Sequence, residues 1–157
     1  RSFTVGDHDE VMEGLGLLDV TTRRGPRRAV GEILTRWERP DGSTSLITGF
    51  ENHGGYTTLG PDARPFAQVE LGVGNCGDGT EGAVQGGVIG SYPHGPNLPR
   101  NPELADHLLE LALGTELGPL PNARISAELD ELRRQRIAVA RHSRNLAEDT
   151  RWLGERE

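Results

Sequence analysis

The rhythm of apolar and polar positions changes once along this chain, near Gly118. Before that point apolar residues come in short runs interrupted by glycine, the pattern of short strands joined by tight turns. Ala29-Val30-Gly31-Glu32-Ile33-Leu34-Thr35-Arg36-Trp37 reads as a strand, and Arg39-Pro40-Asp41-Gly42 supplies the turn that closes it. Ser45-Leu46-Ile47-Thr48-Gly49-Phe50 is the next strand and the first one's antiparallel neighbour. Phe66-Ala67-Gln68-Val69-Glu70-Leu71 alternates and makes a third. Gly86-Gly87-Val88-Ile89-Gly90-Ser91-Tyr92 is uncharged throughout, which predicts a short, buried fourth strand. His94 lies just beyond its end, where ligands bind in open α/β sheets.

The spacing then turns helical. Asn101 is a suitable cap, Pro102 suits the first helical position, and Glu103 lies in the favourable first turn. Leu104, Leu108, Leu111 and Ala112 form one apolar face that ends near Gly114. Gly118-Pro119-Leu120-Pro121 reads as an extended link. Ser126 is a candidate cap for a last helix reaching about Leu146, with Leu129, Leu132, Arg133, Arg136, Ile137 and Ala140 along one side. That face is narrow among many charges, so a surface helix is expected; Trp152 is either an exposed tail aromatic or an anchor. Nearer the start, Glu13-Gly14-Leu15-Gly16-Leu17-Leu18-Asp19 reads as a glycine-spaced apolar turn. Arg23-Arg24-Gly25-Pro26-Arg27-Arg28 reads as a basic loop, either solvated or facing phosphate or an acidic partner.

Composition narrows the chemistry. With 157 residues the chain can bury one core. No stretch reaches the roughly 18 apolar residues of a membrane span, and Ser2 to Glu13 lacks the apolar centre of a signal peptide. A cytoplasmic location is therefore expected. The net charge of −7 argues against nucleic acid as the main partner. All 17 basic residues are arginine, which removes Schiff-base lysines and the lysine of a phosphate-binding loop. A single cysteine, Cys76, excludes an internal disulfide framework.

Among candidate groups His94 is foremost. Pro93 and Pro96 stiffen its segment, Gly95 permits close approach, and an imidazole there can cycle a proton near neutral pH. The competing reading is a histidine that only bonds across a turn. His53, beside Glu51, either joins a polar site or braces strand ends. His53, His94 and Glu51 have no compact ligand spacing, so no metal or other cofactor is expected. Cys76 sits in a glycine-rich loop without the rigid elbow or helix start that activates a thiol, and reads as passive. Gly72 to Gly82 carries Asp78 and Glu81 and no basic residue, and reads as a surface loop rather than an anion cradle.

Several segments in order carry a specific resemblance. They are Gly49-Phe50-Glu51-Asn52-His53-Gly54-Gly55, Gly72-Val73-Gly74-Asn75, Glu81-Gly82, Ile89 to Pro96, and Leu98 to Glu103. Together with Glu13 to Asp19 they resemble the GatD family, the glutamine amidotransferase subunit of lipid II isoglutaminyl synthase, related to the cobyric acid synthase amidotransferase domain. The resemblance implies an α/β fold of the class I glutamine amidotransferases, a doubly wound sheet with antiparallel additions. Residues 1–121 would be the C-terminal part of that domain, and residues 122–157 a surface helix and tail.

In that family a cysteine on a strand-to-helix elbow attacks the glutamine amide, and a histidine activates the thiol and returns the proton to the departing ammonia. The histidine corresponds to His94. Glu51, Asn52, His53 and Gly54 are expected to support the site or meet substrate. Position 96 is proline where many relatives carry an orienting glutamate, and an acidic residue of the partner subunit is thought to take that role. The family's cysteine elbow comes shortly before the segment matching Arg1-Ser2-Phe3, so this chain is expected to start after it and to be inactive alone. The implied partner is a Mur-ligase-like (MurT-like) ATP-binding subunit, and the implied substrate is L-glutamine. A corrinoid-pathway amidotransferase and a non-catalytic fragment are the alternatives.

Overall fold

The structure is a computed structural model that describes residues 2–5, 10–118 and 123–154, with the side chains of 5, 123–126 and 143–154 outside the description. Its scaffold is one long hairpin. β3 (Val20–Glu38) and β4 (Thr44–Leu59) pair antiparallel from Val20↔Leu59 to Glu38↔Thr44 around the turn at Pro40 and Asp41. Asp41 closes that turn by accepting from the Ser43 N–H and hydroxyl at 2.9 and 2.6 Å. The strands expected at 29–37 and 45–50 are thus the inner parts of this hairpin. The segment expected to be a basic loop, Arg23 to Arg28, is instead strand, with a register break between Arg24 and Ala29. A bulge absorbs its proline and glycine while the strand continues on both sides.

On the other edge of β3 two strands follow one another. β1 (Ser2–Val5), itself paired with β2 (Glu10–Glu13), lies parallel to Thr21 and Thr22, and β5 (Ala67–Leu71) runs antiparallel to Leu34, Thr35 and Arg36. β6 (Thr80–Glu81) continues the sheet from β5. Of the uncharged run expected to form one buried strand, Val88–Gly90 is a strand but half-buried, and Gly86 and Gly87 are the turn that joins it to a preceding strand. β7 (Ala83–Gln85) turns at Gly86 and Gly87, and β8 (Val88–Gly90) returns antiparallel. Gly86 has φ +58°, a conformation that ends a strand and suits glycine. His94 therefore does not follow a parallel strand. The described sheet is antiparallel at every pairing except β1–β3.

The core gathers Trp37, Ile47, Phe66, Ala67, Val84 and Leu104, with Ile89 and Leu108 against it. Trp37 packs on Phe66 with ring centroids 5.7 Å apart and on His107 at 5.2 Å. Leu104 arrives on α2 (Pro102–Leu113), which ends at Gly114 in the left-handed conformation. Leu104 and Leu108 face inward as their spacing predicts, whereas Leu111 and Ala112 remain exposed.

Asn101 precedes α2 but makes no side-chain cap. Its fully buried amide instead joins β4 to α1 (Asn97–Arg100): Oδ1 accepts the Thr48 N–H at 2.8 Å, and Nδ2 donates to the Thr48 and Asn97 carbonyls at 2.9 and 2.8 Å.

The last helix, α3 (Ala123–Gly154), starts before Ser126 and runs past Leu146. Leu129, Arg133, Ile137 and Ala140 face inward, while Leu132 and Arg136 point outward. Arg133 ties the helix down by donating to the Glu103 carboxylate and the Leu46 carbonyl. Positions 119–122, containing most of the expected link, and the Trp152 side chain lie outside the described residues. Replacing Asn101 with alanine would leave the buried Thr48 N–H without its acceptor. The expected loss is about 1–3 kcal/mol in denaturant unfolding, where an unchanged midpoint would contradict the role given to Asn101.

Candidate active site

The site is written into the alternation of β4. Ser45, Ile47, Gly49, Glu51 and His53 are buried on one face, and Asn52 points the other way. Asn52 is exposed and accepts from Arg28 Nε at 2.7 Å, so the segment Glu51 to Gly54 divides between two faces of the sheet. Gly54 is half-buried, beside Arg28.

Glu51 is 3% exposed, and a carboxylate so buried needs donors. The main chain of Gly72-Val73-Gly74 provides them: Val73 N–H donates to Oε1 at 2.8 Å and Gly74 N–H to Oε2 at 3.1 Å. Gly74 has φ +64°, and a Cβ there would lie 2.3 Å from the Thr80 carbonyl oxygen. The glycine-rich segment expected to be a surface loop therefore wraps an anion after all, and that anion belongs to the chain. Asn75, 1% exposed, ties the segment shut by donating to the Gly82 carbonyl at 2.9 Å and the Thr80 hydroxyl at 3.0 Å.

His53 lies beside Glu51. Its Nδ1 donates to the Gly55 carbonyl at 2.8 Å, since a carbonyl only accepts, and its Nε2 stands 3.6 Å from Glu51 Oε2 without a hydrogen-bond partner among the described residues. The ring stacks on Tyr92 with centroids 3.8 Å apart. The Tyr92 hydroxyl meets Thr57 Oγ1 at 2.7 Å, which meets Thr22 Oγ1 at 2.7 Å.

Glu81 completes the cluster; it belongs to the Glu81-Gly82 motif of the sequence but was not singled out there as a site residue. It is fully buried at the end of β6 and accepts the Tyr92 N–H at 2.7 Å. Burial pushes its carboxyl up to about 7, against the lowering effect of the Tyr92 and Ser91 hydrogen bonds, and the neighbouring Glu51 charge adds to the rise.

Beyond Tyr92 the chain is held by shape and by one main-chain bond. Pro93 is buried against Gly49, where a Cβ would stand 2.5 Å from Pro93 Cβ. His94 N–H donates to the Phe50 carbonyl at 2.7 Å, an isolated antiparallel bridge. The His94 residue itself is exposed. The structure thus separates the predicted residues into a buried support, Glu51 and His53, an outward Asn52 and Gly54, and an exposed imidazole. Cys76 is different in kind: burial and the hydrogen bond to Asp78 push its thiol up, away from the thiolate a nucleophile requires. Among the described residues no group of three His, Cys, Asp or Glu side chains is arranged to hold a metal ion, and no helix is long and apolar enough to cross a membrane.

The segments that build this cluster all lie within a stretch that matches a known family. The description of the CobB/CobQ-like glutamine amidotransferase domain matches residues 3–102, from β1 through the start of α2. The chain belongs to the CobB/CobQ-like glutamine amidotransferase family. It is 35% identical over 134 residues to the lipid II isoglutaminyl synthase (glutamine-hydrolyzing) subunit GatD of Staphylococcus aureus strain N315, covering 85% of this chain and 52% of that protein. It is 39% identical over 109 residues to the GatD subunit of Streptococcus pneumoniae strain R6, covering 68% of this chain and 41% of that one. Cobyric acid synthase of Sphingopyxis alaskensis is 37% identical over 129 residues, 77% of this chain and 23% of the synthase. The chain spans about half the length, or less, of these curated relatives. Membership places β3, β4 and the cluster beneath His94 within the amidotransferase domain, while α3 lies beyond the matched residues.

Glu81 has a measurable signature. Its raised folded value means that the stability it contributes is fully present below its usual value of 4.5 and is lost as pH rises through about 7. Glu81→Gln removes the charge and keeps an acceptor for Tyr92. The variant should gain on the wild type between pH 5 and pH 8, by on the order of 3 kcal/mol. Thermal unfolding across that range checks this, and a difference independent of pH would contradict the buried, titrating carboxyl.

Proposed function

We propose that this chain is the His94-bearing part of the glutaminase subunit of a lipid II isoglutaminyl synthase, which hydrolyses L-glutamine and passes ammonia on for amidation of the D-glutamate α-carboxylate of lipid II. The observation that carries this reading is the exposed His94, held at the edge of a cluster that lies within the residues matching the family. Similarity to two GatD subunits supports the cell-wall substrate.

In the reaction proposed here, a cysteine thiol from the rest of the subunit attacks the side-chain amide carbon of glutamine. His94 takes the thiol proton and gives it to the departing nitrogen, which leaves as ammonia. A water molecule then releases glutamate from the thioester, with His94 again moving the proton. A neutral imidazole accepts and returns protons at the pH of the cell. The anchored main chain at residue 94 fixes where the ring starts, and the ring's exposure leaves it open to a thiol and substrate. The doubly wound α/β sheet expected of the family belongs, in this reading, to the whole domain, of which residues 1–121 are the C-terminal part and residues 122–157 a surface helix and tail.

The proposed partner is a Mur-ligase-like ATP-binding subunit that activates the carboxylate in the cytoplasm, where the precursor is assembled. Pro96 leaves the position after next from His94 without a carboxylate, which fits an orienting acid supplied by that partner. A cobyric acid synthase-type amidotransferase is the second reading, favoured by 37% identity over 77% of this chain. The readings separate when the complete protein, its Mur-ligase-like neighbour, ATP and glutamine are incubated with lipid II and the stem peptide is examined by mass spectrometry. Amidated stem peptide supports the first, and amidation of a corrinoid substrate alone supports the second.

Glutamine hydrolysis by the complete subunit with its partner tests the base role. His94→Ala should lower turnover by about 10²–10⁴-fold, the range for loss of a general base. Near-normal turnover would overturn the assignment.

A further inference from the structure

We propose that Glu81 is a positioning residue for His94 that acts through Tyr92, a role that rests on the glutamine-hydrolysing reading of His94. Three contacts converge on Tyr92. His53 stacks on its ring, Thr57 meets its hydroxyl, and Glu81 Oε1 accepts its main-chain N–H at 2.7 Å. The first two hold the side chain. Only the Glu81 contact acts on the backbone, two residues before His94. The other Glu81 oxygen lies 3.4 Å from the Ser91 hydroxyl, so one carboxylate spans two consecutive residues of the segment leaving β8.

Glu81 is itself held at its main chain. It pairs with Ala67 across β5 and β6, and its carbonyl accepts the Phe66 N–H at 3.1 Å. Downstream, Pro93 rests against Gly49, and His94 N–H is fixed to Phe50. The segment is therefore clamped at Tyr92, stopped at Pro93 and anchored at residue 94, and the imidazole projects from a fixed point. A main-chain amide held by a buried side chain that is itself fixed in the sheet has a narrow range of positions open to it. Reactions that move a proton between positioned groups depend on such narrowing, since a displacement of about 1 Å can cost about 100-fold.

The experiment compares Glu81→Ala, Glu81→Gln and His94→Ala in the complete subunit with its partner. Glutamine hydrolysis is resolved into kcat and KM, and the His94 ring is followed by NMR without substrate. Glu81→Ala should lower kcat about tenfold or more with KM within about twofold, and should shift or broaden the His94 ring signals. Glu81→Gln, whose amide oxygen still accepts the Tyr92 N–H, should recover kcat to within about threefold of the wild type.

Wild-type kcat with unmoved His94 signals in folded Glu81→Ala overturns the proposal, as does a defect confined to KM. Should Glu81→Ala fail to fold, Glu81→Asp withdraws the carboxylate by one methylene. The same split is expected, and wild-type kcat with unmoved ring signals overturns the proposal there too. Full activity in His94→Ala would instead sink the base role, while the displaced ring signals in Glu81→Ala would still report the mechanical link.

Discussion

Everything around His94 depends on two carboxylates being taken out of water within one small sheet. Glu51 and Glu81 are almost wholly buried and close enough for the charge of one to oppose ionisation of the other. Such groups are tolerated only where donors meet them. For Glu51 the donors are the Val73 and Gly74 amides, which is why the chain between β5 and β6 turns through residues with positive φ. For Glu81 the donor is the Tyr92 amide, which ties the end of β8 to β6. Local backbone shape and the course of the chain beneath His94 both follow from satisfying these oxygens.

The apolar core and the helices are held on different terms. Apolar contact between Trp37, Phe66 and Leu104 joins the hairpin to α2, and a single buried asparagine fixes β4 to the helical segment. α3 adds an arginine that reaches Glu103 and the Leu46 carbonyl, and a more exposed pair, Arg141 with Glu70 at 3.1 Å. The latter is screened by salt and contributes little, so the inner contact anchors the helix.

The long hairpin was legible because its signals are local. Alternation, β-branched residues and a Pro-Asp-Gly turn act within a few residues of one another. The helix after Asn101 was legible for the same reason, although the cap residue spends its amide on a strand 53 positions away. What escaped depended on distant partners. Arg23 to Arg28 looked like a loop because a bulge can hide glycine and proline inside a strand. Gly86 and Gly87 looked like strand because no charge interrupted them, yet a positive φ reverses the chain there. Residues Gly72 to Gly82 seemed solvated because they carry acids and no base. The main-chain amides of Val73 and Gly74, invisible in a list of side chains, are what make Glu51 buriable. His94 stood out by its own proline and glycine setting, whereas Glu81 appeared within the Glu81-Gly82 motif and was given no role in the site. The clue to it was the parity of Ser45, Ile47, Gly49, Glu51 and His53, which already demanded polar company on the buried face.

That parity also decides which changes in chain length the protein can absorb. Deleting Phe50 would turn over every position after it on the strand: Asn52 would face Tyr92, and the carboxylate of Glu51 would leave its amides. An extra residue at the Asp41 turn changes only a solvated loop end. Tolerance to insertion and deletion is therefore very uneven along a single hairpin. The descendants of this sequence are free to vary in length at its tip and are held to an unbroken count along the strand that carries the site.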